Sequence, residues 1–246
     1  MYSLSFNGTD LESYGLVVNS KNIPFTQETQ LVQFQERAYA GKSKAIARTI
    51  SLPVSVTATS WTTLKSQLDT IFGILNLRED AELILSPDTG RYFLARLDSI
   101  DGKIMSPTLW QGQLSFICQK PFAYAVTPFD TTYPVNADPK TIILTVAGSA
   151  NTDPVYTLTA GANLTGVTIK LKNTTTNFEL CWTGNMLNTD TLEIDCEFWI
   201  VELEAVASMS TVTGKFPYLV PGINSIQVTA FGVLGSLRVQ YRARYI

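Results

Sequence analysis

Alternation of apolar and polar residues is the feature that most restricts how this chain can fold. Ile50, Leu52, Val54 and Val56 alternate with Ser51, Pro53, Ser55 and Thr57. Trp110, Gly112, Leu114, Phe116 and Cys118 are separated by Gln111, Gln113, Ser115 and Ile117. Val167, Ile169 and Leu171 repeat the pattern, as do Leu237, Val239, Tyr241 and Ala243 between Arg238, Gln240, Arg242 and Arg244. Successive side chains of a strand point to opposite faces, so each run sets one face on a core and the other toward water, as antiparallel sheets do. Pro53 has no N–H for a ladder, which predicts an edge strand or a bulge at that point.

One segment departs from period two. In 60–77 the apolar residues are Trp61, Leu64, Leu68, Ile71, Phe72 and Leu75. Steps of three, four and seven make a single stripe on an α-helix. Ser60 is positioned to accept a first-turn N–H as its N-cap. One helix among strands makes the first half α+β. Pro121, Pro128, Pro134 and Pro139 then interrupt any ladder, which predicts a connector with a boundary in 131–139. The expected division is residues 1–130 and 131–246. Beyond it, short strands are separated by turn signals with no helical pattern, which indicates a β-sandwich or jelly-roll. The polar stretch 26–48 interrupts the strands of the first half. A loop of that length is functional or disordered in most compact domains. A long hairpin turning at 41–43 fits equally, and either form is expected to project.

The chemistry available is narrow. The chain has no histidine, which excludes Ser-His-Asp and Cys-His nucleophile activation, histidine–zinc sites and imidazole acid–base catalysis. Cys118, Cys181 and Cys196 are too few and too scattered for a disulfide framework or a four-thiolate zinc site. They read as small buried hydrophobes, with folding expected in a reducing compartment. Eighteen basic against 21 acidic residues give a net charge of −3, so no footprint for sequence-specific nucleic-acid binding is present. The N-terminus lacks the basic and apolar regions of a signal peptide, and no apolar run reaches a membrane span, so an intracellular product without a membrane partner is expected. Charged residues are only 16%, against roughly 25% in average domains, which points to surface meant for covering. No cofactor is expected.

Two readings keep binding or catalysis open. Glu193, Asp195 and Glu197 alternate with Leu192, Ile194 and Cys196. Their spacing puts all three carboxylates on one face of a strand. A glycan hydrolase needs carboxylates opposed across a cleft rather than in a row, so a solvent face is expected, with no partner for any of them. Trp182, Trp199, Tyr156 and Phe178 could stack sugars in a lectin-like module, although such aromatics are more often core. Gly41-Lys42-Ser43 is similar to the end of a phosphate loop, but Glu36 stands where the first glycine belongs.

An ordered set of motifs is similar to the distal tail proteins of long, flexible-tailed bacteriophages. Ser5-Phe6-Asn7-Gly8 is followed by Leu11 and by Tyr14-Gly15-Leu16-Val17-Val18. The polar excursion with Ala40-Gly41 precedes the Ile50 strand and the helix, then Asp88-Thr89-Gly90-Arg91-Tyr92-Phe93-Leu94-Ala95. Phe116-Ile117-Cys118-Gln119-Lys120-Pro121-Phe122-Ala123-Tyr124 resembles the end of that family's first domain. Asp190 to Cys196, Gly214-Lys215-Phe216-Pro217-Tyr218-Leu219, Pro221-Gly222-Ile223-Asn224 and Tyr241-Arg242-Ala243-Arg244-Tyr245 continue the likeness. The family carries a more glycine-rich turn where Lys42 and Ser43 follow Gly41.

The resemblance implies a mainly β chain with one helix. Its N-terminal domain would be a tube-like β-barrel or split sheet that forms a ring, and its C-terminal domain a galectin-like or jelly-roll sandwich. It implies a structural virion protein and not an enzyme: a homohexameric hub at the tail tip, assembled in the host cytoplasm, around the genome-delivery channel. Its partners would be the tail tube protein and tail-tip, tail-fibre or receptor-binding proteins. Such a channel need not be basic, because a basic lining would hold the phosphates. Gln35, Arg37, Tyr39, Gly41 and Lys42 of the polar arm are the candidate subunit-interface residues. A carbohydrate-binding module is the alternative.

Overall fold

The structure, a computed structural model, describes residues 2–24, 27–34, 37–45, 47–230 and 234–246, with backbone alone for 27–34, 37–45 and 234. Strand accounts for 59% of it, and one α-helix is present among the described residues. Two compact units divide the chain, Met1–Val126 with Ile246, and Thr127–Tyr245.

The first unit contains β1 (Leu4–Phe6), β2 (Thr9–Asp10), β3 (Leu16–Val18), β4 (Gln27–Phe34), β5 (Arg37–Ala45), β6 (Arg48–Thr57), α1 (Trp61–Leu75), β7 (Ala81–Leu85), β8 (Asp88–Ser106), β9 (Leu109–Cys118) and β10 (Ala123–Ala125). The main sheet runs β2-β1-β7-β8-β9-β6-β3, and β10 also lies on β8. Its far ends meet. Tyr2 and Val18 exchange two backbone hydrogen bonds of 3.1 Å, which closes the sheet into a barrel and leaves fewer free edges. The inward residues of β6 and β9, with Phe6, Leu83 and Leu85, form one core with α1.

Helix α1 covers that core through Leu64, Leu68, Ile71 and Leu75. Ser60 caps it, accepting the Thr63 N–H at 3.2 Å. Trp61, the first residue of the expected stripe, is 48% exposed. It lies in the first turn, where the helix has not yet reached the core. Pro53 also differs from expectation. Strand β6 pairs with β9 without a register break from Arg48 to Thr57, and it carries β3 on its other side. The Pro53 carbonyl still accepts the Asn19 N–H at 2.8 Å, so proline leaves only its own donor out of the ladder.

The second unit contains β11 (Phe129–Pro134), β12 (Lys140–Val146), β13 (Val155–Ala160), β14 (Leu164–Asn173), β15 (Phe178–Met186), β16 (Thr191–Asp195), β17 (Ile200–Leu203), β18 (Val206–Ala207), β19 (Val212–Gly214), β20 (Gly222–Ala230) and β21 (Leu234–Tyr241). Part of the proline-rich stretch is thus strand β11, paired along its length with β21. Two antiparallel sheets, β11-β21-β13-β16-β17-β18 and β12-β20-β14-β15-β19, share one core. Every strand that alternates contributes its apolar face, which is the arrangement of a β-sandwich. Trp182 and Tyr156 are fully buried at its centre. They and the half-buried Phe178 therefore build no exposed sugar platform. Trp199 is the aromatic of that expected set left open to solvent.

Candidate functional site

Strand β8 is 19 residues long, and its two halves have different neighbours. Residues 88–95 are covered by β7 on one side. From Arg96 to Ser106 the strand pairs with β9 on the other side, and among the described residues no strand pairs with the side that β7 has left. Register breaks at Asp98 and Met105 bend this free edge. Ile104 and Met105 are exposed near its end. A row of unpaired N–H and C=O groups with apolar side chains is a template for another strand.

A groove of about 540 Å³ lies beside this edge, lined by Phe72, Gly73, Asn76, Leu97, Ile100, Gly102 and Trp110. Its floor is flat because the Trp110 indole lies across two glycines paired in register, Gly102 and Gly112. A Cβ on either would come within 2.3 Å of the ring. Phe72 of α1 meets the indole edge-on, with ring centroids 5.8 Å apart. None of the lining residues can donate or take a proton at neutral pH, so the groove can hold an apolar side chain but offers no acid–base chemistry. Gly112→Ala should push the indole out of its seat and destabilise the first unit by about 1–3 kcal/mol. Thermal unfolding and the near-ultraviolet signal of the tryptophans check this; an unchanged signal would show that the ring does not depend on the glycine.

The candidate interface residues fall on the arm. Gln35 lies outside the described residues. Arg37, Tyr39, Gly41 and Lys42 are in β5, which pairs antiparallel with β4 as a separate two-stranded sheet. Residues 41–43 lie within the paired strand β5 and make no reversal. The register passes from Thr29↔Ser43 to Leu31↔Ala40, so Gly41 and Lys42 form a bulge opposite Gln30. Glycine is suited to the irregular backbone of a bulge, and the same residue in sequence mimics a turn.

The carboxylate row does not form as expected. Glu193 faces solvent, but Asp195 Oδ1 accepts the N–H groups of Glu197 and Phe198 at 2.8 and 3.0 Å. This folds the chain away from the strand, and Glu197 pairs with Arg244 at 3.3 Å. Alternation persists only as long as the backbone stays extended, and β16 ends at Asp195. Among the described residues no group of three cysteine or carboxylate side chains could hold a metal ion. The thiols are poor nucleophiles. Burial pushes Cys118 up to about 12 against the opposing pull of Arg48, and burial raises Cys181 and Cys196 as well. All three are protonated at neutral pH.

The outer face of the six-stranded sheet carries an ion pair. Arg238 Nε donates to Asp130 Oδ1 at 2.7 Å, and Gln240 donates to Asp130 Oδ2 at 3.0 Å. The hydrogen bond from Arg238 holds the Asp130 carboxyl below its ordinary range. A lowered folded-state pKa adds stability that is present above the unfolded pKa, near 3.9, and is lost as pH falls through the folded value. Arg238→Ala should move Asp130 up toward ordinary acidity in an NMR titration, with Gln240 still donating to it. A titration unmoved by the substitution would mean that the pair is not formed in solution.

Residues 147–245 match the family model described as siphovirus-type tail component, C-terminal domain. That match takes in most of the sandwich and belongs to sequence, independent of the fold. In structure, the chain is similar along its whole length to the Dit protein of phage SPP1, described as a paradigm of the hub adsorption apparatus in phages that infect Gram-positive bacteria. The TM-score is 0.80, with 14% identity and 100% of both chains covered. A chain of the phage P2 baseplate in its activated conformation with calcium matches at TM-score 0.51 and 7% identity, over 98% of this chain and 97% of that one. The strontium form matches at TM-score 0.51 and 8% identity over the same shares. No curated protein sequence matches the chain. Residues 147–245 thus resemble the C-terminal domain of siphovirus-type tail components, and the chain as a whole has a fold like that of the SPP1 Dit protein.

Proposed function

We propose that the chain is a structural protein of a phage tail tip and not an enzyme. Its first unit assembles as a homohexameric ring that joins the tail tube to the baseplate or receptor-binding apparatus and surrounds the genome-delivery channel. It resides in the virion and assembles in the host cytoplasm. Its partners are further copies of itself, the tail tube protein and tail-tip, tail-fibre or receptor-binding proteins. The observation that carries this reading is the free edge of β8 from Arg96 to Ser106 with its apolar groove. A ring is the closed solution in which each subunit supplies a strand to its neighbour and no edge is left over. The arm suits that role. Strand β5 carries Arg37, Lys42 and Lys44 and no acidic residue, and the edge from Arg96 to Ser106 offers Asp98 and Asp101 as partners for them, with Arg96 and Lys103 balancing its net charge.

Light scattering should give six times 27.1 kDa for the full chain. Ile104→Lys combined with Met105→Lys should leave a folded monomer, because a lysine on a free edge blocks pairing while an exposed site costs no more than roughly 0.5 kcal/mol. Deletion of 35–43 should have the same effect through the arm. A monomeric parent would refute the ring; rings formed by the lysine variant would remove the edge from the interface, and rings formed by the deletion would remove the arm.

A further inference from the structure

The hairpin ribbon of β16, β17 and β18 presents an exposed surface of the second unit. Trp199 is 69% exposed, and Ile200 beside it is exposed on the outer face that Glu193, Asp195 and Glu202 share. Val206 and Met209 are exposed too, but Val206, opposite Leu203, points to the other face, and Met209 follows the ribbon. Asp195 pairs with Ile200 and Leu203 with Val206, and the Val201 N–H reaches Met209 Sδ at 3.2 Å.

The turn that carries Trp199 is held firmly at its start. Besides the two N–H groups bound by Asp195, the Cys196 N–H donates to the Pro154 carbonyl at 3.1 Å. Arg244, which meets Glu197, also binds Asp153 at 2.6 Å. Trp199 itself has φ +59°, a left-handed conformation unfavourable for a bulky L residue. Strain of this kind persists where the surroundings impose it, and it clusters at binding sites.

The rim is acidic. Residues 191–207 contain Glu193, Asp195, Glu197, Glu202 and Glu204 and neither lysine nor arginine. Glu193 stands directly opposite Glu202 in the β16–β17 register, a cross-strand pair of like charges that opposes folding. Within the unit Arg238 attracts Glu193 and Arg244 pairs with Glu197, which offsets part of that charge. A partner that covers the exposed tryptophan and supplies further positive charge relieves the rest.

We propose that the β16–β18 ribbon docks a protein partner that offers an apolar pocket flanked by lysine or arginine, with Trp199 as the anchor. Charge complementarity selects this occupant. A second copy laid against the same ribbon would bring two acidic rims together, and an anionic cell-surface polymer would be repelled.

The choice of sample rests on the tail reading. Tails are assembled with the photo-cross-linker p-benzoylphenylalanine in place of Trp199, or in place of Ile143 on the other sheet as a control, and cross-links are identified by mass spectrometry. Recovery of the chain in purified tails tests the tail reading; the cross-link from position 199 tests the docking. The expected product is a different protein joined through a lysine- or arginine-bearing peptide, at least about tenfold above the control, as loss or gain of an anchor residue gives. Glu193→Lys with Glu202→Lys should abolish it while leaving the isolated chain folded with little change in melting temperature, because one like-charge pair replaces another. A link to another copy of the chain, a link to glycan, or no link above the control overturns the proposal. Should the chain be missing from tails, the purified photo-variant is mixed with an apolar peptide flanked by lysines and with its glutamate-flanked counterpart. Capture of the lysine peptide alone supports the docking, and any other result overturns it.

Discussion

Ile71→Asp should unfold the first unit. Ile71 is completely buried under α1, in the cluster that includes Leu64, Leu75, Phe6 and Phe116. A carboxylate there has no partner to receive it. Burying an unpaired charge costs several kcal/mol at least, comparable with the whole 5–15 kcal/mol margin of a domain. Protonation would reduce the cost without removing it, since the polar acid would still lack a hydrogen bond. The matched control is Trp61→Asp, on the same helix and the same sequence stripe but exposed, where a change of no more than roughly 0.5 kcal/mol is expected. Because the chain has two units, one melting curve is not sufficient. Amide exchange in β6 and β9 should collapse to near-unfolded rates for Ile71→Asp and stay protected for Trp61→Asp. Protection retained in both would mean that the helix does not cover this core.

The second large effect is expected at Trp182. Its ring rests on Gly184, where an added Cβ would lie 2.4 Å from the indole. Its Nε1 donates to Ser208 Oγ at 2.9 Å. Trp182 thus joins the two sheets, from β15 to the segment that follows β18. Trp182→Ala should cost about 3–5 kcal/mol by removing buried area and opening a cavity. Trp182→Phe keeps most of the volume and loses the hydrogen bond, so about 1–2 kcal/mol is expected. Exchange protection in β14 and β15 would read both changes. Equal losses in the two variants would show that the hydrogen bond, and not the packing, holds the sandwich together.

Much of the candidate site was hidden in the sequence. The arm stood out as a polar interruption, and its hairpin was one of two readings. The place of Gly41 in a bulge was not legible because glycine serves bulges and turns alike. The free edge of β8 left no trace. A strand has the same composition whether one neighbour or two flank it, and only the departure of β7 at Ala95 exposes the backbone beyond. The groove was equally silent, although Gly102 and Gly112 are its one local sign: glycines in strands mark a close approach, here of an indole.

By itself, the sequence determined which way each side chain points. Period two set the faces of β6, β9, β14 and β21, and steps of three and four set the face of α1, because these follow from local backbone geometry. It also determined the chemistry denied to the chain, since no fold can supply an absent histidine. The tertiary structure decided which strands are neighbours. Tyr2 finds Val18 and closes a barrel, β8 keeps one side free, Trp61 stays in water, and Asp195 turns the chain so that Glu197 reaches Arg244. Each of these depends on partners distant in sequence or on where an element ends. Side-chain direction is a property of a few consecutive residues, whereas pairing is settled by which of many possible edges buries the most apolar surface in the whole unit.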